Sequence, residues 1–273
     1  MQDKDALGTL NWLVEAGADE AIGEVPVNRF AAAAPMQTAT PVKISLAEPV
    51  PMAVRAKPQA AGDAVGNAMA LAGAATTLAE LKTAMEGFDA GALKRGAANT
   101  VFADGTPEGR VMFIGEAPGR DEDRIGKPFV GRAGQLLDKM LASIGLDRST
   151  NAYITNVINW RPPDNRDPSP EEAAMCLPFL RRHIELADPG VIVLLGAVAA
   201  RHVMGISEGI MKSRGRWMEY RVADRMVPVM PTLHPAYLLR QPAHKKLAWR
   251  DLQALATKME SFGLPLGARN FGA

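Results

Sequence analysis

The sequence has a single cysteine, Cys176, in 273 residues. One thiol excludes an intramolecular disulfide framework and any metal site that needs several thiolates from one chain. Aromatic residues make up only 5% of the chain, and 31 basic residues are balanced by 30 acidic ones. The net charge therefore indicates neither a polyanionic nor a polycationic partner.

Long apolar runs are also missing. No stretch of about 18 apolar residues is long enough to cross a membrane. Residues 1–5, MQDKD, do not read as the start of a secretory signal peptide. We therefore expect a soluble, cytoplasmic protein that does not bind membranes.

Phosphate-binding glycine motifs are the third absence. The stretch GEAPGRDEDRIGKPFVGRAG, residues 115–134, follows the apolar run at 111–114 but contains neither G-x-x-x-x-G-K-[ST] nor G-x-G-x-x-G. The carboxylate of Glu116, the residue after the first glycine of this stretch, would repel a phosphate. A carboxylate beside a tight turn instead suits holding or deprotonating a water molecule. A helix cap or an exposed turn acid is the structural alternative for Glu116.

Composition divides the chain into three parts. Residues 1–24 contain a candidate amphipathic helix at 6–21, which is a docking segment for a protein partner, an arm on the main domain or a loosely held tail. Residues 25–70 are rich in alanine and proline, which predicts a flexible linker. Residues 71–273 carry the signals of a folded domain.

Four continuous apolar stretches in that domain predict strands at 110–115, 152–158, 190–196 and 227–233. Such stretches fit strands buried on both faces of a parallel sheet. Helical signals alternate with them, including capping boxes that begin at Thr77 and Ser169. The alternation predicts a three-layer α/β/α sandwich with a four-stranded parallel sheet. A short hairpin is expected before the last strand.

Polar residues lie at the carboxyl ends of these predicted strands, where open parallel sheets bind ligands. Glu116 follows the first strand, Asn156 lies on the second and His234 follows the fourth. A buried Asn156 either bonds to a neighbouring loop or pairs with the donor and acceptor groups of a ligand. Phe129, between two turns, is either core or a stacking wall for a planar ligand.

Basic residues are expected near the same edge of the sheet, as in a groove that binds a polyanion. They are Arg161, Arg166, Arg214, Arg216, Arg240, Lys245 and Lys246. Scattered surface cations are common, so this cluster alone is a weak indication.

Taken together and in order, three segments within residues 84–261 resemble the family-4 uracil-DNA glycosylases. They are GEAPGRDEDRIGKPFVGRAGQLL, YITNVINWRPPDNRDPSPEE and PTLHPAYLLR. The resemblance implies a monomeric enzyme of base excision repair, associated with the nucleoid, that flips uracil out of DNA and hydrolyses its N-glycosidic bond. Its partners would be uracil-containing DNA, single- or double-stranded, and free uracil as product.

The resemblance also assigns roles to individual residues. Glu116 would position the attacking water, and His234 would donate to the uracil oxygen that gains charge. The implied uracil-binding residues are Ala117, Glu122, Phe129, Asn156 and Asn165. The implied DNA-binding residues are Arg161, Arg166, Arg214, Tyr237, Leu238, Leu239, Arg240 and Lys245, with one of 237–240 acting as a wedge in the duplex.

The sequence departs from the family at its iron–sulfur site. The family normally holds a [4Fe–4S] cluster with four cysteines, and the matching positions here carry Phe88, Gly91, Trp160 and Cys176. One thiolate cannot hold that cluster, so we expect no cofactor and no metal, with Phe88 and Trp160 filling the space. A related branch binds abasic DNA covalently through a histidine in a basic insertion. This chain lacks both, which predicts ordinary turnover.

Two other functions stay open at this point. One is a protein that binds uracil-containing or abasic DNA with little turnover, which the presence of Glu116, Asn156 and His234 disfavours. The other is a hydrolase or transferase acting on a free nucleotide, which the missing phosphate loop and the wedge-like YLLR segment disfavour.

Overall fold

The structure is a computed structural model that describes residues 61–264 and 266–267. The predictions made for residues 1–24 and 25–60 lie outside the described residues. Within those residues, no helix combines the length and the apolar character needed to cross a membrane.

The described strands form one mixed sheet in the order β1-β3-β2-β4-β6-β5. They are β1 Ala103–Gly105, β2 Val111–Gly115, β3 Tyr153–Asn156, β4 Val191–Leu195, β5 Met218–Val222 and β6 Arg225–Thr232. The inner strands β3, β2, β4 and β6 are parallel and correspond to the four predicted strands. Antiparallel β1 and β5 add the two edges, so the sheet has six strands rather than four. The predicted hairpin is β5–β6, whereas β1 has only three residues, ADG, and no apolar pattern.

Helices cover both faces of the sheet. They are α1 Ala61–Ala74, α2 Leu78–Gly87, α3 Ala92–Arg95, α4 Arg120–Ile125, α5 Arg132–Ala142, α6 Pro170–Ala187, α7 Ala197–Met204, α8 Ile210–Ser213, α9 Pro235–Arg240 and α10 Lys245–Ser261. On β2, Met112 and Ile114 belong to a core shared with α1, α2 and α6. Val111 and Phe113 belong to the opposite core, with α5 and α10. This alternation confirms the predicted three-layer α/β/α arrangement.

Helix α1 begins inside the segment that was predicted to be linker. Residues 61–70 are helical, and Ala64 and Ala68 are buried. Alanine has the highest helix propensity, and its small side chain lets two helices approach closely. An alanine-rich stretch therefore reads as a linker by composition but folds as a helix once α6 is available to pack against it.

A buried histidine joins α6 to the sheet. His183 is stacked on Phe102 with 4.2 Å between ring centroids, and its Nε2 lies 2.9 Å from the hydroxyl oxygen of Tyr153. Burial lowers the pKa of His183 to about 3. The imidazole ring of His183 is therefore neutral in the folded protein at pH 5 and above.

We expect this histidine to make the fold less stable in mild acid. The unfolded chain takes up a proton near pH 6.5, whereas folded His183 does not, so protonation favours the unfolded state as the pH falls below 6.5. Between pH 7 and pH 5 the loss is about 2 kcal/mol for this group. Urea unfolding at both pH values measures it.

The matched control for that measurement is a double variant, His183→Leu with Tyr153→Phe, which removes both partners of the hydrogen bond together. Its free energy of unfolding should change less than that of the original protein between the two pH values. Equal changes in the two proteins would contradict the assignment to His183.

Candidate active site

The carboxyl ends of β2 and β3 meet at a point where there is no room for a side chain on β2. Gly115 is in register with Asn156. A Cβ atom on Gly115 would lie 2.5 Å from Asn156 Oδ1 and 2.6 Å from the Phe129 ring. The glycine on β2 therefore lets an amide and an aromatic ring from two other, distant segments meet at the end of the strand.

The amide of Asn156 carries an unusual feature. Its side chain is 2% exposed, and its Oδ1 is the one buried side-chain oxygen or nitrogen without a hydrogen-bond partner among the described residues. Leaving a buried acceptor unpaired costs roughly 1–3 kcal/mol. Such an atom beside an aromatic ring indicates a binding site in which a ligand supplies the missing donor.

Phe129 is held in a strained backbone conformation. It is buried and has φ +53°, in the left-handed region, which costs on the order of 1 kcal/mol or more for a residue with a side chain. The Glu122 carboxylate accepts N–H bonds from Val130 at 3.0 Å, Gly131 at 2.9 Å and Gly119 at 3.1 Å. Glu122 thus shapes the loop that carries the ring, and all three of these bonds are to the backbone.

His234 precedes α9, directly after β6 and Leu233. Its Nδ1 accepts a hydrogen bond from the Ala236 N–H at 3.1 Å, and its ring lies 5.5 Å from the Phe129 ring between centroids. Burial lowers the pKa of His234 to about 4, and the positive charge of Arg240 adds to that effect. The imidazole is therefore neutral at pH 7, and since Nδ1 accepts, the proton is on Nε2, which is left to donate.

Glu116 follows Gly115 and is partly buried. Its backbone oxygen accepts from the Ile158 N–H at 2.9 Å, which holds the turn against the end of β3. Burial raises the pKa of Glu116, the negative charge of Asp167 raises it further, and the positive charge of Arg201 opposes both. A carboxylate in such surroundings is a stronger base than an exposed one.

These groups together suit a flat, polar heterocycle and a water molecule. Phe129 offers a stacking face, Asn156 offers an unpaired amide oxygen, and neutral His234 offers a donor for negative charge that develops during a reaction. The family model of the Uracil DNA glycosylase superfamily matches residues 102–253, which contain all of them. The chain belongs to the uracil-DNA glycosylase superfamily.

The chain is similar to several type-4 uracil-DNA glycosylases, which agrees with the resemblance stated from the three sequence segments. The protein of Thermotoga maritima is 45% identical over 158 residues, which are 57% of this chain and 80% of that protein. The protein of Sulfurisphaera tokodaii is 38% identical over 182 residues, 63% and 82% of the two chains. The protein of Archaeoglobus fulgidus is 45% identical over 148 residues, 53% and 74%.

Aromatic side chains are packed together at two of the four positions where the family-4 resemblance implies cluster ligands. Phe88 and Trp160 are both fully buried, with 6.3 Å between ring centroids, and Phe179 packs edge-on against Phe88 at 5.1 Å. The Trp160 indole N–H donates to Thr100 Oγ1 at 2.9 Å. The two rings belong to the core formed with α2 and α6, as expected from the sequence.

The remaining residues at these positions are not cluster ligands either. Burial raises the pKa of the Cys176 thiol to about 12, and this single thiol cannot supply the four thiolates that the cluster needs. Gly91, with φ +63°, is the N-cap residue of α3 and has no side chain that could bind iron. No group of three or more His, Cys, Asp or Glu in the described part of the chain is arranged to hold a metal ion. The residues present therefore do not fit a [4Fe–4S] cluster.

The four residues predicted as candidates for the wedge, 237–240, all lie on α9 but differ in how exposed they are. Leu238 is 1% exposed and lies in the core with α5 and α10, so it cannot enter a duplex. Tyr237 is partly buried, and its hydroxyl lies 2.6 Å from His244 Nδ1. Leu239 is 37% exposed, and Arg240 is also exposed. Leu238 is thus removed from the expected DNA-binding residues, because the helix turns it inward.

Arg214 is likewise removed from the expected phosphate ligands. Its side chain is 15% exposed and forms an ion pair with buried Asp251, with Nε donating to Oδ2 at 3.0 Å. It also donates to the Leu247 carbonyl. Asp251 accepts from Thr232 at 2.6 Å as well, so Arg214 ties the segment before β5 to α10 and β6.

The loop after β3 carries three more predicted residues. Arg161 donates to Asn165 Oδ1 at 2.8 Å, and both lie near the surface. Arg166 is exposed and forms a two-pronged pair with Glu172 at 2.8 and 2.6 Å. Lys245, at the start of α10, is exposed. The DNA contacts of these residues, and the uracil contact of Asn165, stay predictions.

Ala117 is partly buried and packs against the α6 side of the core.

Sequence reasoning missed three charged residues around the site. Asp167 and Arg201 act on the pKa of Glu116, and Arg148 donates to the backbone of the Phe129 loop. Asp167 follows the motif residue Asn165 by two positions, which is a signal that could have been used. Arg148 and Arg201 lie outside every motif, and their neighbours in sequence give no signal.

Proposed function

We propose that the protein is a monofunctional uracil-DNA glycosylase of base excision repair. It flips a uracil nucleotide out of DNA, hydrolyses the N-glycosidic bond and leaves an abasic site. The observation that carries this proposal is the buried, unpaired Oδ1 of Asn156 beside the Phe129 ring. The N3–H of uracil would supply the missing donor, and the relatives named as type-4 uracil-DNA glycosylases support the same activity.

His234 stabilises the leaving group. When the bond between uracil and the sugar breaks, uracil departs with its bonding electrons, and negative charge spreads onto its two carbonyl oxygens. The Nε2–H of neutral His234 donates to the O2 atom, where part of that charge develops. A donor placed for developing charge stabilises the transition state more than the ground state, which is what raises kcat.

Glu116 acts on the water. The new bond joins the water oxygen to the sugar carbon that uracil leaves, and the water must lose a proton. The carboxylate of Glu116 orients the water and accepts that proton, a role that its raised pKa favours. A protein that only binds uracil would need the stacking ring and the amide but not this acid. The presence of Glu116 therefore favours an enzyme over a protein that only binds uracil-containing DNA.

The backbone of the uracil-containing DNA binds to basic residues around this pocket. The exposed cations Arg166, Arg240 and Lys245, with partly buried Arg161, supply positive charge for phosphates. Leu239 enters the space that the flipped nucleotide vacates. It is the exposed apolar residue of α9, whereas Leu238 one position earlier is packed in the core. We further propose that the enzyme works without an iron–sulfur cluster and that free uracil is its product.

The role of Leu239 predicts a difference between two substrates. Leu239→Ala should lower kcat/KM on double-stranded uracil-DNA by about tenfold, since flipping costs a few kcal/mol that the wedge helps to offset. Activity on single-stranded uracil-DNA should change little, because that strand leaves no gap to fill. Steady-state kinetics with matched oligonucleotides measure both.

Two further variants make this comparison specific. Met226→Ala, which removes another exposed apolar side chain at the start of β6, should leave both activities unchanged. Leu238→Ala should instead lower the free energy of unfolding by about 3 kcal/mol, as a core truncation does. An equal loss on both substrates with Leu239→Ala would show that this residue is not a wedge.

The central test uses a labelled oligonucleotide with one uracil and the full-length protein. Incubation followed by alkali should break the strand at that position, and incubation without alkali should not, since a monofunctional enzyme leaves the backbone intact. A thymine-containing oligonucleotide is the control. Tight uracil-dependent binding without strand breakage would show a damage-binding protein instead. Release of uracil only from mononucleotides would favour the nucleotide-acting alternative.

A further inference from the structure

Arg148, in the segment between α5 and β3, uses every donor of its guanidinium. Nε and Nη2 donate to Asp138 Oδ1 at 2.9 and 2.7 Å, and Nη1 donates to Asp104 Oδ2 at 3.0 Å. The two remaining N–H groups donate to backbone oxygens, Nη1 to Pro128 at 3.1 Å and Nη2 to Phe129 at 2.8 Å. Since an arginine side chain has five N–H groups, all five are engaged.

These two carbonyl groups belong to the strained loop that carries the stacking ring. Glu122 holds the N–H groups of Val130 and Gly131 on one side of Phe129, and Arg148 holds the carbonyl groups on the other. Helix α5 closes a third side: a Cβ atom on Gly134 would lie 1.8 Å from the Phe129 oxygen. The left-handed conformation of Phe129 is thus enforced by its surroundings, as strained residues require.

We propose that Arg148 is a positioning residue that sets where the Phe129 ring lies and thereby how tightly the pocket binds uracil. Arg148 donates a hydrogen bond to the backbone carbonyl of Phe129 itself, so a shift of that carbonyl moves the ring. Arg148 acts only through Phe129 and has no contact with the base. The inference rests on the proposed function, in which Phe129 stacks on the flipped uracil.

The two aspartates explain why this position needs arginine. They hold the guanidinium plane in one orientation, and Arg148 is only 17% exposed. Asp104 also pairs with Lys127 at 3.0 Å, which ties a second residue of the same loop to the network. A lysine would keep the charge but has three donors at a single point, so it cannot serve two carboxylates and two carbonyl groups at once.

The test compares Arg148→Lys with Asp138→Asn in the full-length protein. Both weaken the charge pair with residue 138, but after Asp138→Asn the amide oxygen can still accept from Nε and Nη2. Asp138→Asn therefore keeps the orientation of the guanidinium and leaves the two carbonyl bonds in place. For Arg148→Lys we expect the inhibition constant of free uracil and the KM for uracil-DNA to rise about tenfold or more. We expect kcat, and its dependence on pH, to change little. Asp138→Asn should resemble the original protein in all four quantities.

A double-mutant cycle with Phe129→Leu separates positioning from a general structural effect. Once the stacking ring is gone, Arg148→Lys should cause no further rise in the inhibition constant of uracil. Additive effects would overturn the proposal, as would an unchanged inhibition constant in Arg148→Lys or an equal rise in Asp138→Asn.

A second variant keeps the test decisive if lysine disturbs folding. Arg148→Met combined with Asp138→Asn removes the cation together with one carboxylate, while Asp104 keeps Lys127 as its partner, so neither carboxylate site is left with an unpaired charge. It should show the same rise in the inhibition constant of uracil, and an unchanged constant would again overturn the proposal. Failure of the proposed function is distinguishable, because the original protein itself would then release no uracil.

Discussion

Replacing Glu116 with glutamine is expected to lower kcat for uracil release by about a hundredfold or more, while uracil-DNA still binds with similar affinity. A glutamine amide fills the same space but cannot take a proton from water, and a positioned general base contributes roughly 10²–10⁴ in rate. Single-turnover cleavage measures the chemical step, and a gel-shift titration with uracil-DNA measures binding. A large loss of binding with little change in the single-turnover rate would contradict the role.

The surroundings of Glu116 add a prediction about pH within the same experiment. Because burial and Asp167 raise its pKa, the active ionised form is lost as the pH falls through that raised value, and kcat should fall with it. Asp167→Asn removes a negative neighbour and should move this acidic limb to lower pH. Arg201→Met removes a positive neighbour and should move it to higher pH. Identical profiles for the two variants would show that another group causes the limb.

Replacing His234 with alanine is expected to slow bond cleavage by about a hundredfold to a thousandfold, the effect of removing one donor aimed at developing negative charge. The loss should be in kcat rather than KM, because the charge on the uracil oxygen appears only as the bond breaks. His202→Ala is the matched control. It removes a partly buried histidine from α7, which lies outside the pocket, and should leave kcat unchanged.

The charge state of His234 sharpens that prediction. Its pKa is lowered to about 4, so the ring is neutral and acts as a donor through Nε2 over the whole range above that value. Protonation of His234 should therefore cause no change in kcat between pH 6 and pH 8. An NMR titration that shows His234 changing charge near pH 6.5 would contradict the structural assignment.

Much of this protein follows from its sequence. The four inner strands are continuous apolar runs, and the helices after Thr77 and Ser169 begin where local patterns predict them. Both bonds of the predicted capping box form at Ser169. At Thr77 only the side chain accepts, from the Glu80 N–H, because the Glu80 carboxylate accepts from Thr76 instead. Local patterns of this kind do not depend on the rest of the chain. The placement of Glu116, Asn156 and His234 at strand ends also follows, since parallel strands bring their carboxyl ends to the same edge.

The short edge strand β1 could not be predicted in the same way. It has no pattern of its own and forms because β3 offers unpaired backbone groups to it. Helix α1 was hidden for a similar reason, because its alanines resemble a linker until α6 provides a surface to pack against.

The details of the site were decided by tertiary structure. Whether Leu238 or Leu239 faces solvent depends on how α9 lies against α5 and α10, and adjacent leucines look alike in sequence. Arg214 pairs with Asp251, 37 residues away, and Arg148 binds the Phe129 loop 19 residues away. Such contacts are set by packing between distant segments. The sequence by itself determined which chemical groups are present and the edge of the sheet at which they lie, whereas only the folded chain decided which side chains lie in the candidate pocket, at the surface or in the core.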